Sequence, residues 1–164
     1  MLVKDDCWDI RDEDDIWKEL HFHKIPNVDE KRVKGNRLEV ATEIGLIKAG
    51  LSYIDTSKIS HRGDVPDFIT KNTAIECKNW LGAVDGRYRI HLNRYNVQIH
   101  RRFESTSSAL KILIIPRGAN WDRSALRAAR QDGLIIITVP PVRTDEDIIP
   151  ASNIIATALS SYVV

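Results

Sequence analysis

Cysteine is scarce in this chain of 164 residues: Cys7 and Cys77 are the only two, and they form no Cys-x-x-Cys pair. That count excludes a disulfide framework and a structural zinc site of the usual spacing, and leads us to expect a reduced, intracellular protein. Long hydrophobic runs are missing as well. The longest, around Leu134 to Val139, falls far short of the roughly 20 apolar residues that a membrane-spanning helix needs. The first residues are acidic rather than basic and contain no apolar segment, so neither secretion nor membrane insertion is expected. Net charge is nearly absent too, at +1, so the overall balance neither demands nor forbids a polyanionic partner. There is no internal repeat and no low-complexity stretch.

What is present is enough for one globular domain with its own core, given 43% hydrophobic and 29% charged residues. The charge is unevenly placed. Between Asp5 and Asp15 seven acids face the single base Arg11, whereas Arg87, Arg89, Arg94, Arg101 and Arg102 fall in a stretch without any acid. Residues 1–33 read as an acidic, helical extension and residues 34–164 as the main domain.

Apolar spacing predicts a helix from about Asn36 to Ala49, with Leu38, Ala41 and Ile44 inward and a stop at Gly50. A strand over Leu51 to Thr56 follows, then the polar loop SKISHRGD, which leads into an Asp67-bearing strand. Leu92 to Glu104 reads as one helix, with Leu92, Tyr95, Ile99 and Phe103 inward and Arg94, Gln98 and Arg101 outward. Leu110 to Ile115, a helix over Arg123 to Gln131 capped by Asp122, and Leu134 to Val139 form a strand, helix, strand unit of the length expected for a parallel crossover. An apolar helix from about Ala151 to Tyr162 either covers the sheet or meets a second subunit.

The segment VPDFITKNTAIECKNW, residues 65–80, carries the chemistry. Side chains alternate along a strand, so Glu76 and Lys78 share one face while Ile75 and Cys77 share the other. If Thr70 to Thr73 turn a symmetric hairpin, Ile69 pairs with Ala74 and Asp67 with Glu76. Cross-strand partners lie roughly 4.5–5.5 Å apart, and two acids at that distance repel unless positive charge intervenes. A hard divalent cation together with Lys78 would supply it. A solvated hairpin face with an ordinary Glu76–Lys78 ion pair would use the same residues.

Pro66, Asp67, Glu76, Cys77 and Lys78 resemble the motif of the PD-(D/E)xK nucleases. Within that superfamily, Lys34, Gly35 and Glu39 together with the basic stretch RYRIHLNRYNVQIHRR make residues 34 to 116, about half the chain, similar to the archaeal Holliday-junction resolvases. The acidic segment ahead of Gly35 has no counterpart in them, and the part after Pro116 is more similar to restriction endonucleases. The resemblance implies an α/β fold with a restriction-endonuclease-like core, a mixed central sheet flanked by helices. It implies a Mg²⁺-dependent endodeoxyribonuclease, with Mn²⁺ able to substitute, whose metal ligands are Asp67, Glu76, the backbone carbonyl of Cys77 and Glu39. Lys78 would hold or deprotonate the attacking water, and Glu43 competes with Glu39 for its role.

Hydrolysis of a phosphodiester needs a nucleophilic water, charge neutralisation at phosphate and help for the leaving oxygen, and a bound divalent metal serves all three. Arg87, Arg89, Arg94, Arg101 and Arg102, with Gln98 and with Lys58 and Arg62 of the loop, are the expected DNA contacts. The substrate expected is branched DNA, with sequence-specific or general duplex DNA as the alternative. A non-catalytic nucleic-acid-binding module is the other class. A homodimer would bring two sites to two strands. The acidic N-terminal segment would either occupy the basic groove or recruit a protein partner, in a cytoplasmic, DNA-associated protein.

Overall fold

A computed structural model describes residues 30–56, 65–95, 99–104 and 106–162, with side chains from residue 37 onward. Helix α1 (Glu30–Lys48) precedes strands β1 (Ile54–Asp55), β2 (Phe68–Ile69) and β3 (Thr73–Cys77). Three short helices follow, α2 (Leu81–Val84), α3 (Leu92–Tyr95) and α4 (Arg101–Glu104). Strand β4 (Leu110–Pro116), helix α5 (Arg123–Gln131), strand β5 (Ile135–Val139) and helix α6 (Ile148–Tyr162) complete the order. The five strands form one mixed sheet in sequence order, antiparallel from β1 to β3 and parallel from β3 to β5. The chain is therefore α/β with helices on both sheet faces.

Alternation along the strands divides the core. Ile75, Cys77, Ile112, Ile114 and Ile137 meet α1 and α6, whereas Ala74, Leu113 and Ile115 meet Tyr95, Ile99, Phe103 and α5. The inward positions expected on α1 are buried, and the helix ends as expected at Gly50, whose φ is +70°. The bonds from Leu51 N to Leu46 O, 3.0 Å, and from Gly50 N to Ile47 O, 3.0 Å, form the paired closure that a left-handed glycine permits. Gly133 closes α5 by the same two bonds.

Several boundaries differ from those expected. Helix α1 starts at Glu30, ahead of the expected start at Asn36. Strand β1 contracts to two residues. Of the helix expected over Leu92 to Glu104, the described residues form a helical turn at Leu92–Tyr95, a wide π-type turn at residues 99–100 and a helical turn at Arg101–Glu104. Its inward residues Tyr95, Ile99 and Phe103 are nevertheless buried as expected, because their apolar side chains leave water whatever the local turn. Asp122 precedes α5 without capping it through its side chain, and lies instead 3.7 Å from His91.

Of the two positions considered for the last helix, the apolar side of α6 takes the first. Ile148, Ala151, Ile155 and Leu159 belong to the main core. The crossing with α1 is close: a Cβ at Gly45 would stand 2.8 Å from Ile155 Cγ2. Gly45→Val is therefore expected to cost about 1–3 kcal/mol through overpacking. In a chain of this size that lowers Tm by about 2–4 °C per kcal/mol, measurable by thermal unfolding. An unchanged Tm would mean that the crossing has room to open. Among the described residues no helix is long and apolar enough to cross a membrane.

Candidate active site

The hairpin fixes the centre of the site. Phe68 pairs with Ile75 and Ile69 with Ala74, the register expected from the sequence. The turn is closed by Thr70 N to Thr73 O, 2.8 Å, and by Thr73 N to the Thr70 hydroxyl, 3.1 Å. Continued one step, that register sets Asp67 beside Glu76. Asp67 leaves the ladder there and its Oδ2 accepts the Cys77 amide at 2.8 Å, so a side chain replaces a strand bond.

Every residue of β3 is buried, Glu76 completely so. Burying a carboxylate costs several kcal/mol unless a partner neutralises it. Arg102 Nη1 of α4 supplies one, at 2.7 Å from Glu76 Oε2. Glu76 shares its strand face with Ala74, on the side covered by Phe103, which is why α4 rather than α1 meets it. The second oxygen, Oε1, is buried without a hydrogen-bond partner.

Burial, a hydrogen bond with Asp67 and the Asp67 charge push the Glu76 pKa up to about 10, against the pull of Lys78 and Arg102. Two ionised carboxylates have no proton to donate, so the Glu76–Asp67 hydrogen bond exists only when one of them is protonated. With both charged, Oε1 is orphaned. Glu39 is raised in the same way, to about 8, by burial and then by the charges of Asp67 and Asp55. The direction is clear for the cluster as a unit: without an added cation it retains a proton at neutral pH.

Of the two glutamates one turn apart on α1, Glu39 feels Asp67, Asp55, Lys78 and Arg102. Glu43 is turned into the core, where its Oε1 accepts the Tyr53 hydroxyl at 2.7 Å. Glu43→Ala is therefore expected to cost about 1–3 kcal/mol by removing a buried acceptor of the Tyr53 hydroxyl. Glu39→Ala removes a carboxylate that burial already disfavours and is expected to leave stability unchanged or higher in metal-free protein. Chemical denaturation of the two variants separates these roles, and the reverse ranking would exchange them.

Lys78 is half-buried beside the acids, and its charge lowers the pKa of both Glu39 and Glu76. The Cys77 thiol lies on the other face, donating to the Thr42 hydroxyl at 3.2 Å, and burial raises its pKa well above the ordinary thiol value. It is a packing group rather than a nucleophile.

The basic residues separate into three groups. Arg89 and Arg101 are exposed, and Arg87 is exposed while pairing with Asp85 at 3.1 Å. The Arg94 guanidinium lies 4.4 Å from the centre of the Tyr88 ring, and that ring packs where a Gly82 Cβ would otherwise stand. Arg102, expected among the outward DNA contacts, is directed at Glu76. Lys58, Arg62 and Gln98 lie outside the described residues. Sequence reasoning missed Asp55 altogether. Its pairing with Phe68 brings a fourth acid to the site, and the signal was an acid ending the strand just before the hairpin.

Among the described residues no three His, Cys, Asp or Glu side chains stand ready around one point as a metal-ligand group. Arg102 and the Cys77 amide engage two of the oxygens concerned. The donor set nevertheless fits a hard divalent cation: all the ligating groups are oxygens, one is buried without a partner, and the acids retain a proton for want of positive charge. Two grooves among the described residues lie elsewhere. One of about 370 Å³ runs along α5 and β5 past Trp121, Leu126, Arg130 and Thr138, and one of about 400 Å³ borders Arg123, Arg127 and Arg130. Trp121 packs against the rings of Trp80 and Tyr95 there. Compared with protein-family models, curated proteins and solved structures, the chain matches none.

Proposed function

We propose that this chain is a metal-dependent endodeoxyribonuclease that hydrolyses DNA phosphodiester bonds on a restriction-endonuclease-like core, with branched DNA of the Holliday-junction type as its favoured substrate. The observation that carries the reading is that the Asp67 charge acts on both Glu39 and Glu76 beside Lys78, in a cluster with more negative charge than its own bases relieve. A bound Mg²⁺ or Mn²⁺ would lower the pKa of water and neutralise charge at the phosphate. Asp67, Glu76 and the Cys77 carbonyl would hold it, with Glu39 contacting it from α1. Lys78 holds the attacking water and takes part in its deprotonation. Exposed Arg89 and Arg101 meet phosphates.

The test is cleavage of labelled linear duplex, single strand and four-way junction with Mg²⁺ or with EDTA. Metal-dependent cutting of the junction supports the full reading. Equal or better cutting of duplex moves the substrate to restriction-type or general DNA. Binding without cutting of any substrate leaves a non-catalytic nucleic-acid module on the same fold, a reading favoured by one observation, the Arg102 guanidinium already seated on Glu76.

The homodimer that would cut both strands is read by sedimentation with and without junction DNA. An unchanged monomer on cleaved junctions sinks it. If the acidic stretch from Asp5 to Asp15 competes with DNA for the basic face, removing residues 1–29 raises DNA affinity at low salt. Unchanged binding excludes that competition and leaves recruitment of a basic protein partner.

A further inference from the structure

Among the described residues expected to contact DNA, Arg102 is the one directed at a buried acid. Its Nη1 lies 2.7 Å from Oε2 of Glu76, while Glu76 Oε1 is buried without a partner. The two sides of the pair differ in their freedom. The Glu76 side chain is 0% exposed and held next to the end of a five-residue strand, whereas the Arg102 side chain is 24% exposed. If the pair opens, the arginine moves, because only it has a route to solvent. A guanidinium and a hydrated divalent ion seek the same carboxylate oxygens, so they compete for Glu76.

We infer that Arg102 is the resident counter-cation of Glu76, holding the position that a divalent ion takes over, and that on exchange it is released toward the substrate phosphate. This rests on the metal-dependent reading of the site and deepens it. Arg102 is thereby a positioning residue that suppresses metal occupancy when DNA is absent. A phosphate arriving next to Arg101 offers the displaced guanidinium a new anion, so metal and DNA favour each other's binding. The positive charge beside Glu76 is replaced as it leaves: the divalent ion arrives as the arginine departs.

The experiment uses the full chain. In ¹⁵N-labelled wild-type protein, the Arg102 Nε–H signal, assigned by its loss in Arg102→Lys, is followed during a Mg²⁺ titration. The Cys77 amide, which Asp67 accepts, reports arrival of the ion independently. The expected result is that both signals move along one saturating curve and that Arg102 Nε–H then exchanges rapidly with solvent. A Cys77 amide that shifts while Arg102 stays fixed overturns the inference and leaves the metal reading standing. If neither signal moves, the metal reading fails and the inference fails with it. Calorimetric titration with Mn²⁺ provides the second arm: Arg102→Gln is expected to bind roughly tenfold or more tightly than wild type. Arg102→Lys, which retains a cation, stays close to wild type. Equal or weaker binding by folded Arg102→Gln overturns the inference, and should that variant fail to fold without metal, the wild-type titration still decides.

Discussion

Asp67→Ala is expected to abolish metal-dependent cleavage while leaving a folded protein. The loss should be on the order of 10³-fold or more, because on the proposed reading one change would remove a metal ligand and the orientation of the water at Lys78. The stability cost is small by comparison. The Cys77 amide loses its acceptor, worth about 1 kcal/mol, but the same change removes the charge that repels both Glu39 and Glu76. The two effects oppose each other, so Tm in EDTA is expected to stay close to wild type. Cleavage assays paired with thermal unfolding check both halves. Retained cleavage in the folded variant would remove Asp67 from the mechanism, and a collapsed fold would make it a structural carboxylate.

The second large effect is a stability profile that runs against the usual direction for carboxylates. Glu39 and Glu76 have folded-state pKa values raised from 4.5 to about 8 and about 10. Below about 4.5 both are protonated in the folded and unfolded chain alike, and their burial is uncharged. Above it the unfolded chain releases protons that the folded one keeps, so fewer protons are bound on unfolding and stability falls with rising pH. In EDTA the fall should continue up to about 8 for Glu39 and toward about 10 for Glu76. Glu76→Gln, neutral at every pH, removes the larger share of the slope. Saturating Mg²⁺ also flattens it, since the ion replaces the proton. Urea midpoints across this range check the sign. A metal-free protein that gains stability from mildly acidic to neutral pH would show that Arg102 and Lys78 already neutralise the acids.

The hairpin was legible in the sequence because its information is local. Two apolar residues on either side of Thr70 to Thr73 set the register, and the period of two along Ala74 to Lys78 placed Glu76 and Lys78 together and Cys77 opposite. Gly50 and Gly133 were legible as helix stops for the same reason, since a left-handed closure needs a residue without a Cβ. The bounds of α5 followed from its spacing and matched residue for residue. Glu39 and Glu43 were not separable on this basis. They lie one turn apart on the same side of α1, and the hydroxyl that captures Glu43 belongs to Tyr53, beyond the helix.

Arg102 shows the limit most clearly. Its neighbours mark it as one of five arginines in a stretch without acids, and nothing local distinguishes it from Arg101. The partner that draws it inward, Glu76, is 26 residues away and is reached because β3 and α4 press on the same apolar cluster. Asp55 likewise joins the site only through β1 pairing with β2. The sequence by itself determined the strand faces, the hairpin register, the helix stops and the acidic motif, all of which depend on residues a few positions apart. Only the tertiary structure decided which glutamate enters the site, which arginine leaves the surface and that α6 closes over α1 at Gly45. Each of those depends on a close approach between distant segments, and the energy of that approach is a matter of shape and charge in three dimensions.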